Sequence, residues 1–215
     1  MKLKWLGHSC FLITSETGLK IITDPYSTGG GINYSPVNET AGVVTVSHDH
    51  RDHNNFAAVA GKPEIVTGTG TKTAKELQFK GIASHHDKSR GEERGANTIF
   101  CFTVDGIDIC HLGDLGHDLS QEEIAQIGNV DVLLIPIGGL YTIDAKVASK
   151  VVDDLKPKVV APMHYKTPKC DFPITSVEDF IAGKKNVNKL NSSETEFKAG
   201  KLPETTEIIV LQPAL

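Results

Sequence analysis

Residues 48 to 53 read His-Asp-His-Arg-Asp-His, so His48, His50, Asp52 and His53 share six consecutive positions. A regular strand or helix cannot aim all four at points a few Å apart, whereas a tight loop can. The preceding Val43-Val44-Thr45-Val46-Ser47 reads as a short buried strand, and Asn54-Asn55 followed by Phe56-Ala57-Ala58-Val59 reads as the start of a helix. The four polar groups therefore fall on a loop at a strand's C-terminal end, where open α/β sheets usually present chemistry. No periodicity explains the run as a core face, and imidazoles and carboxylates packed this closely are electrostatically awkward without a cation. The reading is a metal centre, in which His48 and His50 can hold one ion while Asp52 and His53 hold a second.

The rest of the chain limits what that centre serves. With 215 residues, 39% of them hydrophobic, one sizeable core can form, and a single domain over 1–215 is the economical reading. A net charge of −5 without a Lys/Arg run disfavours a nucleic-acid track. Cys10, Cys101, Cys110 and Cys170 show no CxxC spacing and read as reduced thiols, which fits a cytoplasmic protein. The N-terminal apolar run is broken by His8 and Ser9, and no apolar stretch is long enough to span a bilayer, so neither export nor a membrane partner is expected. Nothing in the sequence sets an oligomeric state.

Leu3 to Thr14, a turn at Glu16-Thr17-Gly18, and Leu19 to Thr23 read as a hairpin. Further strands are expected at 64–67, 81–86, 98–104, 107–111, 130–137, 158–161 and 208–211, with Asp105-Gly106 as a tight hairpin turn. Helices are expected over 72–79, over 120–127 with Ser120 and Glu123 as a capping box, over 144–155 and over 176–181. This mixture gives an α/β class with a mixed sheet, or two sheets, and helices outside. Ser27 to Thr40 has the composition of a mobile loop, which serves equally as a surface connection or a substrate lid. Lys184 to Pro203 is polar and reads as an exposed excursion. Of His85 and His86, ending one strand, only one can point at the site, because strand residues alternate. Asp114 follows a strand and Gly113, which permits close backbone approach.

The string His-x-His-x-Asp-His resembles the metal-binding motif of the metallo-β-lactamase-fold hydrolases. Trp5-Leu6-Gly7-His8-Ser9, Thr23-Asp24-Pro25, His86-Asp87, His111-Leu112-Gly113-Asp114 and Pro162-Met163-His164-Tyr165 follow that superfamily's motif order across nearly the whole chain. The Trp-Leu-Gly-His and Thr-Asp-Pro segments are most similar to the branch containing L-ascorbate-6-phosphate lactonase and the N-acylphosphatidylethanolamine phospholipases. The resemblance implies a four-layer αββα sandwich, α/β (α+β) in class, with the metal site along one sheet edge. It selects His86 over His85 and makes Asp114 a bridge between two ions. Metal one would take His48, His50, His86 and Asp114; metal two would take Asp52, His53, Asp114 and His164. Asp24 would support the His loop from beneath.

The β-lactamases of that superfamily commonly place Cys on the second metal, where this chain has Asp114, so antibiotic hydrolysis is disfavoured. Its oxygen-reducing di-iron relatives carry Glu where His50 stands, which tilts the reading to hydrolysis. The expected cofactor is a pair of divalent ions, zinc first, with Mn²⁺ and Fe²⁺ compatible with the same nitrogen and oxygen ligands. The expected reaction is attack of a hydroxide shared by the ions on a small ester, lactone or phosphoester. Asp52 and Asp114 are the catalytic carboxylates, and Asp52 helps move the proton. His8, Asp24, His111, His117, Tyr165 and Lys166 are candidates for supporting ligands or touching substrate. No basic run or aromatic-rich stretch suits a polymer, so the expected partner is a small anionic molecule. The rivals are a phosphodiesterase or nuclease of the same fold, and a metal-binding protein without turnover.

Overall fold

The structure is a computed structural model that describes all 215 residues. Its strands are β1 (Lys2–Gly7), β2 (Cys10–Thr14), β3 (Lys20–Thr23), β4 (Val43–Val46), β5 (Glu64–Thr67), β6 (Gly70–Ala74) and β7 (Leu77–His85) in the first part. There follow β8 (Ala96–Val104), β9 (Ile107–His111), α1 (Gln121–Ile127), β10 (Val132–Pro136), α2 (Ala145–Leu155) and β11 (Val159–Met163). The chain closes with α3 (Val177–Ile181), β12 (Val187–Lys189), β13 (Glu194–Glu196) and β14 (Glu207–Val210).

These strands form a six-stranded sheet, β13-β1-β2-β3-β4-β5, and an eight-stranded sheet, β12-β14-β11-β10-β9-β8-β7-β6. In the first, β1-β2-β3 are antiparallel and β3-β4-β5 parallel. The second repeats that plan, with β7-β8-β9 antiparallel and β9-β10-β11 parallel. Both sheets are mixed, as the combination of hairpins and β-α units requires.

Strand alternation decides which residues face the partner sheet. Leu3, Trp5, Phe11, Ile13, Ile21 and Val43 join the main core with the second sheet, while their neighbours Leu6, Cys10, Leu12, Ile22 and Val44 form a separate outer cluster. That outer cluster also contains Tyr26, Ile32, Tyr34 and Val37. The 27–40 stretch, expected to be a mobile loop, therefore packs as an irregular cover on the first sheet. Its Tyr34 ring lies where a Gly7 side chain would stand, 2.7 Å from an ideal Cβ, and its hydroxyl meets Thr167 Oγ1 at 2.8 Å. Gly7 at φ +133° also lets the chain turn between β1 and β2. The segment Leu3 to Thr14 is accordingly two strands, not one.

Three further expectations are corrected. Residues 72–79 form the β6-β7 hairpin instead of a helix: Lys75 and Glu76 take positive φ at its turn, and Ala74 and Phe79 bury the inward face. The local preference of Lys, Glu and Leu for helix is overridden by sheet pairing. The helix expected after Asn55 is a single 3-10 turn, Phe56–Ala58, without a buried residue. The polar 184–203 stretch carries β12 and β13, which extend one edge of each sheet. The helices over 121–127 and 145–155 stand as read, the first closed by the Ser120–Glu123 capping box and the second started by Asp144 accepting from Lys146 N and Val147 N.

Candidate metal centre

Chain ends of both sheets converge on one edge. His8 follows β1, Asp24 follows β3 and the 47–53 loop follows β4; from the second sheet, His86 follows β7, Asp114 follows β9 and His164 follows β11. His8, Asp24 and His164 adopt left-handed backbone with φ of 52°, 39° and 49°. Each such conformation costs roughly 1–2 kcal/mol for a residue with a Cβ, and the surroundings hold it. Asp24 N donates to Thr45 O at 2.9 Å, and His164 N donates to His8 O at 3.2 Å.

Asp114 stands at the middle. Its Oδ2 is 3.1 Å from His86 Nε2, 3.2 Å from His53 Nε2, 3.3 Å from His164 Nε2 and 4.0 Å from His48 Nε2. On one side, His48, His50 and His86 present ligand atoms within 4.8 Å of one another; on the other, His8, Asp52, His53 and His164 do the same. Gly113, at φ +56°, brings the carboxylate in, since a Cβ there would lie 2.3 Å from Asn97 Oδ1. Buried Asn97 accepts from Asp114 N at 3.0 Å and donates to Leu112 O at 2.9 Å, which fixes the loop.

Asp24 organises the imidazoles from below. Its Oδ1 accepts from Ser47 N at 2.8 Å, and its Oδ2 accepts from Ser47 Oγ at 2.5 Å and from His53 Nδ1 at 2.9 Å. Ser47 Oγ in turn accepts from His48 Nδ1 at 2.9 Å. This network places the proton of both rings on Nδ1, so that Nε2 of each, once free of a proton, offers its lone pair to a cation. His48 Nε2, His53 Nε2, His86 Nδ1, His164 Nδ1 and Asp114 Oδ1 are buried without any hydrogen-bond partner. Such a concentration of unpartnered buried polar atoms around one carboxylate fits a site built for cations.

Charge follows the same logic. Burial opposes ionisation of Asp114, but the His164 and His53 imidazoles outweigh it and hold the carboxyl well below its usual range. Burial likewise opposes a proton on His53, yet the Asp114 and Asp24 carboxylates raise its pKa well above 6.5. Burial, helped by His53, pushes His48 down to about 3; burial and His164 push His8 down to about 4. Between about pH 6.5 and 4, His8 and His48 bind fewer protons folded than unfolded. The raised pKa of His53 and the depressed carboxylates contribute fully throughout that window. Chelator-treated protein is therefore expected to lose stability as pH falls from about 6.5 to 4. Urea midpoints measured from pH 7 to 4.5 check this, and a flat or rising series contradicts it.

The structure brings His48, His50, Asp52, His53, His86, Asp114, His164, His8 and Asp24 together. His85 points away from Asp114, its ring 5.5 Å from that of His117, as alternation along β7 requires. His117 and Tyr165 do not reach the cluster, and their expected roles there are withdrawn. His117 Nε2 accepts from His85 N at 3.1 Å, and its Nδ1 donates to Asp118 O at 2.8 Å, so the ring is committed to the backbone. Tyr165, one residue after His164, faces the opposite way and packs on Trp5, with ring centroids 5.1 Å apart. His111 clamps Ser9 O at 2.9 Å and Gly113 N at 3.2 Å.

Sequence reasoning missed the wall around the centre. A cleft of about 600 Å³ opens beside His48 and His50, lined also by Asn54, Phe56, Arg94 and Thr98. Tyr141 lies edge-on to Phe172 at 5.6 Å, and Phe172 to His8 at 5.8 Å. These residues come from separate loops, with no motif to mark them.

Residues 2–164 match the β-lactamase superfamily domain. A UPF0173 metal-dependent hydrolase of Carboxydothermus hydrogenoformans is 34% identical over 194 residues, covering 78% of this chain and 85% of the relative. The chain belongs to the UPF0173 metal-dependent hydrolases of the metallo-β-lactamase superfamily. An Archaeoglobus fulgidus member of the same family is 30% identical over 212 residues, 84% of this chain and 89% of the relative. A solved Thermotoga maritima structure, described as a proposed Zn-dependent hydrolase of that superfamily, superposes with a TM-score of 0.81 at 36% identity over 98% of this chain and 97% of the other. The protein is thus a metal-dependent hydrolase with the metallo-β-lactamase fold, and its His/Asp cluster is able to bind metal. No helix is long and apolar enough to cross a membrane.

Proposed function

We propose that this hydrolase works with two divalent ions, zinc in both positions, on a small anionic ester, lactone or phosphoester. The observation that carries the reading is Asp114 Oδ2, within 3.3 Å of Nε2 atoms of His53, His86 and His164. His48, His50 and His86 would hold one ion and Asp52, His53 and His164 the other, with Asp114 between them. When bound, two such ions supply an ionised water at neutral pH and polarise the oxygen under attack.

The chain's own residues then do the positioning. Asp24 and Ser47 orient His53 and His48, and Asn97 holds the backbone of Asp114. Burial would raise the pKa of Asp52, but its hydrogen bond from His8 and the charge of His53 lower it further, so it is ionised. With its side chain 21% exposed, Asp52 is placed to take a proton from the attacking water. Burial pushes the thiols of Cys10 and Cys110 well above their usual range, so neither supplies a nucleophile. Nitrogen and oxygen ligands suit zinc, and also manganese and iron.

The test is a panel of lactones, phosphodiesters and acyl esters against protein reconstituted with Zn²⁺ or Mn²⁺, alongside metal analysis. Two ions per chain are expected, with turnover of small anionic substrates that varies only mildly with salt, because one small anion displaces few counterions. Structured RNA and single-stranded DNA run beside them over a salt series. Efficient cleavage of those polymers with a steep salt slope, and none of the small compounds, would establish the nuclease alternative instead.

A further inference from the structure

We infer that Arg94 forms an anion subsite beside the metal cluster and takes a carboxylate or phosphate group that the substrate carries away from the bond to be cut. The inference deepens the proposed function, since it names the element that recognises the substrate's negative charge. Arg94 is the one Lys or Arg lining the cleft beside His48 and His50. The acidic side chain lining the same cleft, Asp49, is engaged by Asn54 Nδ2. By contrast with Arg51, whose guanidinium donates to Thr28 O at 2.6 Å, Arg94 pairs with no carboxylate or carbonyl of this chain. Its Cζ lies 4.5 Å from the centroid of the Tyr141 ring. A cation–π contact of this kind holds a guanidinium without using its N–H donors, which stay free for a bidentate oxyanion.

The backbone beneath is held equally firmly. Asp87, next to His86, accepts from Ser89 N and Gly91 N at 2.8 Å, from Glu93 N at 3.1 Å and from Arg94 N at 2.8 Å. His86 N donates to Gly95 O at 3.1 Å. The loop carrying Arg94 is therefore anchored to the residues that flank His86, and the cation keeps a set position relative to the cluster. Through Tyr141 and Phe172 it also joins the aromatic wall that reaches His8 on the other side of Asp114. A rigid, unpaired, planar cation next to a hydrolytic centre has the chemistry of an orienting clamp.

The experiment measures binding, so that it does not depend on turnover. Calorimetric Kd values are determined on zinc-reconstituted protein for the dicarboxylates succinate, glutarate and adipate and for the monocarboxylates of matching length. One carboxylate can occupy the metal centre in either series, and only a dicarboxylate carries a second one for Arg94. Wild type is expected to bind at least one dicarboxylate about tenfold more tightly than its partner, the size of one charge-assisted hydrogen-bonded pair. In Arg94→Ala that ratio falls to about one, and in Arg94→Lys, which keeps the charge and loses the fork, it is intermediate. Metal content and melting temperature check that the variants are intact, and Arg94→Gln gives the same reading if alanine loosens the loop. Absence of any dicarboxylate preference in wild type, or its full persistence in Arg94→Ala, would overturn the subsite. A protein that shows the ratio yet cleaves none of the ester, lactone or phosphoester probes would sink the hydrolytic reading of substrate class and leave the subsite standing.

Discussion

Asp114→Ala is expected to lower turnover by about three orders of magnitude or more and to release at least one of two bound ions, while the protein stays folded. The loss follows from position: no other carboxylate oxygen lies within 3.3 Å of imidazole nitrogens from three chain segments, those of His53, His86 and His164. Removing a group that neutralises and aligns charge at the reacting centre typically costs 10²- to 10³-fold by itself, and loss of an ion adds to it. Folding is spared because Asn97 still receives the amide of residue 114, and a buried carboxylate is removed along with its desolvation cost. Elemental analysis, melting temperature and hydrolysis of the best probe measure the three quantities. An Asp114→Ala protein that retains two ions and full turnover would end the bridging assignment.

Asp24→Asn is expected to weaken metal binding by about 10- to 100-fold, the range found when a carboxylate orienting a metal-bound imidazole is removed, with a modest loss of stability. The amide oxygen can still accept from Ser47 N, but the NH₂ group cannot accept from His53 Nδ1, which now lies 2.9 Å from Asp24 Oδ2. His53 then adopts the other tautomer, with its proton on Nε2, and the lone pair needed by the cation is lost. Asp24→Ala leaves Ser47 and His53 buried without an acceptor and is expected to destabilise the fold by roughly 3–5 kcal/mol, the cost of breaking a buried pair. Metal titrations of both variants, read with their melting temperatures, separate the tautomer effect from unfolding. Equal metal affinity in Asp24→Asn and wild type would show that Asp24 is structural only.

Much of the site was legible in the chain because its signals are local. Six consecutive residues carry His48, His50, Asp52 and His53, and alternation along β7 leaves room for only one of His85 and His86. The Asp105-Gly106 turn, with φ of 52° and 73°, and the Ser120–Glu123 capping box are equally local, so they too could be read directly. The failures share a cause. Residues 72–79 contain good helix formers, and only the pairing of Lys72, Thr73 and Ala74 with Phe79, Gln78 and Leu77 across the turn makes them strand. The 27–40 stretch looks like a mobile loop by composition, yet Ile32, Tyr34 and Val37 are buried by a sheet face whose apolar surface comes from distant residues.

The sequence by itself determined the candidate ligand residues, the strand-end loop that carries four of them and the family motif order, because each motif is a short run of residues adjacent in the chain. The tertiary structure alone decided that His8 stands with Asp52, His53 and His164, that Tyr165 and His117 turn away, and that Arg94 and Tyr141 meet beside the cluster. Those placements arise where two sheets bring their strand ends to one edge. Contacts between residues tens of positions apart depend on sheet order and register, and no local pattern in the chain encodes them.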